Sequence, residues 1–358
     1  MIIWREGTVV ALGKAWAGAQ ELLVRLQQGS QVRGLAYTDL VGVPAVGEKV
    51  LLTTAALARG LGTGGYGFVA ARPDQLPADP EPAPGHLVKA RYTPLQTLVL
   101  GADEQESPHH GLLQDADDLA GTPVIAADLH SAVPAIIAGI RAVVPTAQIV
   151  YVMTDGGALP MAFSRSVAHM RATGWLDATI TTGQAFGGDY EAVSLHSALL
   201  VAHLVCRADA VIVAQGPGNL GTGTRWGFSG VAAGETINAA ATLGGRPIGS
   251  LRVSAADPRE RHRGISHHSL TAYGRVALVP ADIPVPLLSG EVGERVRMQA
   301  RQLERLHTLI ETQVHDLDEP LSRCPVTLST MGRGIDEDAT PFLAAAASGK
   351  HAASLIVA

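Results

Sequence analysis

The sequence predicts an α/β protein: a Rossmann-like three-layer sandwich on a mainly parallel sheet, preceded by a small N-terminal β-barrel of SH3 or OB type. Three observations carry this. Residues 1–72 contain five short β-rich runs separated by glycine and polar turns. Residues 73–86, "PDQLPADPEPAPGH", continue neither a sheet nor a helix and mark a linker. From residue 87 to 358, apolar runs alternate with helical stretches, the pattern of a sheet covered by helices.

The barrel runs are "GTVVAL", "QELLVRLQ", "QVRGLAYT", "GEKVLLTT" and "YGFVAAR". Their aromatic residues Trp4, Trp16, Tyr37, Tyr66 and Phe68 are scattered and read mostly as core. The α/β part offers strands at 97–101, 123–128, 148–154, 178–182, 210–214, 247–253, 275–280 and 325–330. Runs that are apolar throughout are buried on both faces, as parallel strands are. Between them lie the helical stretches "SAVPAIIAGIRAVV", "PMAFSRSVAHMRATG", "YEAVSLHSALLVAHLVCR" and "SGVAAGETINAAATLG". Val292, Val296, Leu303, Leu306, Ile310, Val314 and Leu317 recur in steps of three, four or seven. They predict a long amphipathic helix over 289–317, packed on the domain or on a second copy in a homodimer. A strand and a helix close the chain.

Composition sets bounds. Of 358 residues, 47% are apolar and 17% charged, which is ample material for a globular core. A net charge of −6 argues against a nucleic-acid partner, although "RERHRG" at 259–264 is locally basic. Two cysteines, Cys206 and Cys324, supply neither a disulfide framework nor a cysteine zinc cluster. The first ten residues lack a secretory pattern. The most apolar stretch, "SALLVAHLVC", is roughly half a membrane span and holds a histidine. The expectation is a cytoplasmic protein with no membrane partner.

In open α/β sheets, ligands bind beyond the carboxyl ends of the strands. The predicted ends run into Asp128-Leu129-His130, Asp155-Gly156-Gly157, Gly183-Gln184, the glycine run from Gly216, the 254–269 segment, and Met331-Gly332-Arg333-Gly334. Six polar crests on one edge, nearly all with glycine, predict a site.

"GPGNLG" at 216–221 has the G-x-G-x-x-G spacing of a dinucleotide loop. The match is poor, because a further Gly-Thr-Gly-Thr precedes any helix and no acidic residue ends the next strand. A looser reading fits better. Backbone N–H groups over Gly216, Gly218, Asn219, Gly221, Thr222, Gly223 and Thr224 cradle an anion, with Arg225 beside it and a helix starting near Ser229. The competing reading is a tight crossover in which glycine permits close packing.

Thirteen histidines include His109-His110, His130, and His262, His267 and His268 in "RHRGISHHS". Imidazole with carboxylate suits a divalent metal ion, for which His109, His110, His130, His267 and His268 are the candidate ligands. The alternatives are a metal-free pocket with one histidine as general acid or base, and histidines that only bridge loops. Asp128 and Asp155 are the partner carboxylates. The predicted catalytic set is Asp128, His130, Asp155, His267 and His268. Asp189 reads as the cap of the helix that follows it.

The motifs "KARYTPLQTLVLG", "EQESPHH", "MTDGGALP", "GPGNLGTGTRWGFSG" and "RHRGISHHSLTAYGRV" resemble those of a bacterial family known as domain of unknown function 3866, over almost the whole chain. That resemblance implies an uncharacterised bacterial cytosolic protein and carries over no catalytic residue. The leading expectation is an enzyme, a hydrolase or transferase, that takes a small anionic or phosphorylated metabolite. The alternatives are a non-catalytic metabolite sensor and, least favoured, a nucleic-acid adaptor acting through the barrel.

Overall fold

The computed structural model describes residues 1–356. Two compact units emerge from it: residues 1–84, 90–97 and 162–168 form one, and residues 85–89, 98–161 and 169 onward form the other.

The first unit holds a closed five-strand barrel of Trp4–Trp16, Ala19–Leu26, Gln31–Tyr37, Lys49–Thr53 and Gly67–Ala71. The ring order is first, second, third, fifth, fourth, and the first strand pairs with the fourth to close it. Alternate residues point inward, so Val9, Leu22, Val24, Val50, Leu52 and Val69 fill the interior. A side chain on Gly7 would run into Val24 and the Arg25 carbonyl, so glycine lets the first strand lie close to the second. Tyr37 and Tyr66 are buried, whereas Trp4 is exposed. Segment 162–168 belongs here because Trp16 donates its indole N–H to the Ala162 carbonyl at 2.6 Å and Phe163 packs beside Phe68. No shift in composition marks that segment. The proline-rich stretch has no helix or strand from 73 to 86, and residues 73–84 go with the barrel unit.

The second unit is a Rossmann-like sandwich on an eight-stranded, all-parallel sheet. From edge to edge the strands are Tyr190–Glu191, Ala178–Thr181, Ile149–Thr154, Ala210–Gln215, Pro123–Ala127, Arg246–Gly249, Asp282–Pro286 and Thr308–Thr312. Val124, Val150, Val152, Val211 and Val213 share a core cluster with Ala198, Leu199, Ala239 and Ala240 of the helices Leu195–Leu200 and Ala232–Thr242. The helices Val133–Val143 and Thr340–Ile356 pack on one another, the first also on the strand Ala210–Gln215 and the second on Pro123–Ala127.

Several expectations are corrected. The apolar spacing over 289–317 is not one helix. The helix Gly290–Ala300 ends in a single turn at Arg301–Leu303, and Thr308–Thr312 is the edge strand. His307 forces the change. It is buried, its Nδ1 accepts from the Ala281 N–H at 3.2 Å, and its Nε2 lies 2.8 Å from the Tyr273 carbonyl. The following T-L-I-E-T suits a strand. "RVALVP" at 275–280 is not a strand, since Ala272–Val276 is a wide helical turn. The strand lies just beyond, at Asp282–Pro286. Its prolines lack ladder donors, and it meets Arg246–Gly249 only at Ile248 opposite Asp282. Thr97–Val99 pairs with Leu87–Lys89 outside the main sheet, and the run at 325–330 shrinks to Ser329–Thr330. Asp189 caps no helix. Its carboxylate accepts from the Thr179 N–H and hydroxyl, each at 2.8 Å, while Ser194 caps the helix at Leu195.

The close approach of two helices sets the thickness of one layer. A Cβ on Gly139 would stand 2.0 Å from the Ala346 carbonyl oxygen, and one on Gly349 would stand 2.0 Å from that of Ile136. Both obstacles are backbone, so the helices must separate. Gly349→Ala is therefore expected to destabilise by about 1–3 kcal/mol through overpacking, against a gain of ~1 kcal/mol in helix propensity. Thermal unfolding measures the balance, and an unchanged or raised Tm would show that the seam is not tight.

Candidate functional site

The site follows from strand order. After Pro123–Ala127 the chain moves toward one edge of the sheet, through Ile149–Thr154. After the adjacent Ala210–Gln215 it moves toward the other edge, through Arg246–Gly249. Adjacent parallel strands that depart in opposite directions leave a crevice at their carboxyl ends. Ala214 is in register with Ala127, so Gln215 stands beside Asp128, and Gly249 is in register with Ala126. The Gln215 amide donates to the Asp128 carbonyl at 2.8 Å and to Asn219 Oδ1 at 3.1 Å.

Three histidines meet at this crevice. His262, His267 and His268 each offer one ring nitrogen, and these nitrogens lie within 4.8 Å of one another. The spacing is local in origin. His262 ends a short turn, Gly264–Ile265 pairs with Val253–Ser254, and Ser266 caps the helix His267–Thr271. Ser266 Oγ accepts from the His268 backbone N–H and lies 2.8 Å from His262 Nδ1, so one hydroxyl fixes two members of the trio. With the proton on Nδ1 donated to Ser266, His262 presents its Nε2 lone pair. The His267 Nε2 is buried and makes no hydrogen bond. Phe228 stacks on His268 at 3.9 Å and 3°.

Asp128 and Arg252 adjoin the trio. The Asp128 carboxylate is buried, and its Oδ2 accepts no hydrogen bond. That oxygen is 3.8 Å from both Arg252 Nη1 and His268 Nδ1, and Arg252 Nη1 is 3.3 Å from the same imidazole nitrogen. A small pocket of about 30 Å³ adjoins Asp128, bounded by Ser131, Arg252, Ser254, Thr330 and Arg333 among others. Arg259 grips Asp257 through two N–H bonds of 2.9 Å, and Arg333 adds a third of 3.2 Å. The Arg259 bonds hold the Asp257 carboxyl well below the usual range.

The structure gathers some predicted site residues and not others. Asp128, His267 and His268 come together, and His262 completes the trio. His130 instead faces Tyr151, with its Nδ1 3.0 Å from the phenol oxygen. His109 packs its ring edge against Tyr190, and His110 Nδ1 lies 2.8 Å from the Asp103 carbonyl. Among the described residues, neither they nor His130 form part of a cluster of three metal-ligating groups. Asp155 is exposed and organises its own loop, accepting from the N–H groups of Gly157, Ala158 and Gln184.

The glycine run folds into a small exposed hairpin. Gly221 bridges Phe228, and the Thr222 N–H donates to the Gly227 carbonyl at 2.7 Å. Leu220 N–H is taken by Ser229 Oγ, and the Thr222 and Thr224 hydroxyls lie 3.0 Å apart. The cradle read over 216–225 therefore spends the N–H groups of Leu220 and Thr222 on the loop itself. Gly218 and Gly223 adopt left-handed φ of 106° and 80°. Gly216, Gly227 and Gly230 serve close packing, since a Cβ at Gly230 would stand 2.9 Å from the Asp128 Cβ. Arg225 is exposed on the hairpin. Arg252 and Gln215 are site residues that no sequence motif signals, whereas Arg333 stands on one of the predicted crests and Phe228 within the glycine-rich motif.

Among the described residues, no helix is long and apolar enough to cross a membrane. A model of the family described as Protein of unknown function (DUF3866) matches residues 33–349. No curated protein and no solved structure matches the chain.

Burial, with the Arg252 and Arg259 charges, pushes the His262 imidazole down to about 3. Burial, His268 and nearby arginines bring His267 to about 4, and burial alone brings His130 to about 4. All three fall below the ordinary 6.5. Between these values the unfolded chain binds more protons than the folded one, so stability falls as pH is lowered from 6.5 toward 4. Replacing His262 and His267 together with glutamine is expected to flatten the Tm–pH curve in that window. An unaltered slope would show that these rings are not neutral in the fold.

Proposed function

The chain belongs to that family, and we propose that it is a metal-dependent enzyme, a hydrolase, that acts on a small anionic substrate at the crest of the sheet. The observation that carries the reading is the trio His262, His267 and His268, with one buried imidazole nitrogen left without a partner. A buried acceptor with no donor costs about 1–3 kcal/mol, and a divalent transition metal would remove that cost. Low imidazole pKa values favour the same use, because a ligating histidine must be neutral. Three histidine ligands leave a coordination position open, and the metal bound there would acidify a water and polarise an ester or amide oxygen.

The chain's own groups supply the rest. Asp128 Oδ2, with no hydrogen bond of its own, is placed 3.8 Å from His268 to accept a proton beside the trio. Arg252 lies between Asp128 and His268, where its charge orients an anionic group. Phe228 covers one face of His268 and fixes the ring. The Asp257 pairs with Arg259 and Arg333 hold the 254–262 segment that delivers His262.

Metal analysis of the purified full chain tests this. About one equivalent of a transition metal per chain is expected, with affinity favouring imidazole-loving ions over magnesium. His267→Ala should lose that metal while circular dichroism stays unchanged. A folded wild-type chain that takes up no transition metal on reconstitution would refute the reading. A metabolite sensor remains the alternative only if ligands shift the Tm without turnover.

A further inference from the structure

We propose that the pocket beside Asp128 is a subsite for a compact oxyanion that carries its own proton, a hydrogen-phosphate group, and that it rejects fully ionised sulfate. As the substrate-recognition half of the proposed site it rests on the reading above, but its binding is measured without turnover.

The pocket is bounded by Asp128, whose buried Oδ2 accepts no hydrogen bond, and by Arg333, whose buried Nε makes none and lies 4.0 Å from Asp338 Oδ2. Arg252 lines the same pocket with a side chain that is only 9% exposed. Ser131 and Thr330 add hydroxyls 2.9 Å apart. The remaining charges are already used. Asp257 is saturated by Arg259 and Arg333, and Asp338 accepts from Ser254, Ala256 and Thr340. Arg252, Arg259 and Arg333 thus match Asp128, Asp257 and Asp338 one for one. A pocket with balanced charge does not select by net attraction. It selects by the atoms left unbonded: a ligand must accept from guanidinium N–H and donate to a carboxylate.

Hydrogen phosphate does both at neutral pH. It offers oxygens to Arg333 and Arg252 and donates its remaining O–H to Asp128. Sulfate has no proton to give and sets an oxygen against the carboxylate, a repulsive element of the kind that builds specificity. Size agrees. A volume of about 30 Å³ exceeds the roughly 10–15 Å³ that one water needs on the same measure, enough for a headgroup and not for a nucleotide.

Titration calorimetry on the full chain at pH 7, with inorganic phosphate and then with sulfate, decides the matter. Phosphate is expected to bind at least roughly tenfold more tightly, about 1.4 kcal/mol. Asp128→Asn, whose amide can donate, should narrow that ratio by improving sulfate. Equal binding of the two anions, or no phosphate binding at tens of millimolar, would overturn the proposal even if Asp128→Asn fails to fold. Running both titrations on metal-loaded and chelator-treated protein separates the two claims. Loss of phosphate selectivity with metal still bound defeats the subsite alone, and absence of metal with selectivity intact defeats the metal centre alone.

Discussion

The central strands end in carbonyls at the limit of the ladder, and the crest depends on how these are satisfied; that of Ala126 accepts from the Ser250 N–H at 2.9 Å and from a tyrosine hydroxyl as well. Buried carbonyls need donors. Tyr273 donates its hydroxyl to the carbonyls of Ala126 and Ser250, at 2.8 and 3.0 Å. Tyr151 reaches those of Ala214 and Gln215, each at 3.2 Å. Gln215 serves Asp128. Both phenols are fully buried, and burial drives their pKa values up, which keeps them protonated as donors. This polar layer fixes where the strands stop, and thereby where Asp128, Gln215 and Arg252 begin.

From that edge the rest is local geometry. Val253–Ser254 leaves the crest and pairs with Gly264–Ile265, which turns the chain back on itself. Gly264, at a left-handed φ of 70°, permits the turn, and a Cβ there would strike Gln299 Oε1 at 2.3 Å. The returning chain enters the helix at Ser266 with His267 and His268 in its first turn. The trio is thus a property of one short loop and one cap, held against a sheet whose core is closed. Its neighbours are arginines paired with acids, Arg252 beside Asp128 and Arg259 on Asp257.

Much of the fold is legible in the sequence because burial on both faces writes itself as unbroken apolar runs, as in "PVIAA", "IVYVMT" and "AVIVA". Strands that break this rule are hidden. Asp282–Pro286 carries two prolines, and Thr308–Thr312 follows residues whose spacing imitates a helix. Of the site, Asp128, His267 and His268 stand out because they follow strand ends, whereas His262 is not among the candidate ligands. His130 and Asp155 look equivalent in sequence but turn to Tyr151 and to a local turn. Arg252 is illegible, and the roles of Arg333 and Phe228 are not readable either, although Arg333 stands on a predicted crest, since these roles arise from contacts between loops distant in the chain.

The central claim is that one ion sits on His262, His267 and His268. X-ray absorption at the edge of the bound transition metal counts its imidazole ligands directly. This account predicts the outer-shell scattering of three imidazoles, falling to two in His262→Ala. A first shell of oxygen alone, or a spectrum that His262→Ala leaves unchanged, would contradict it.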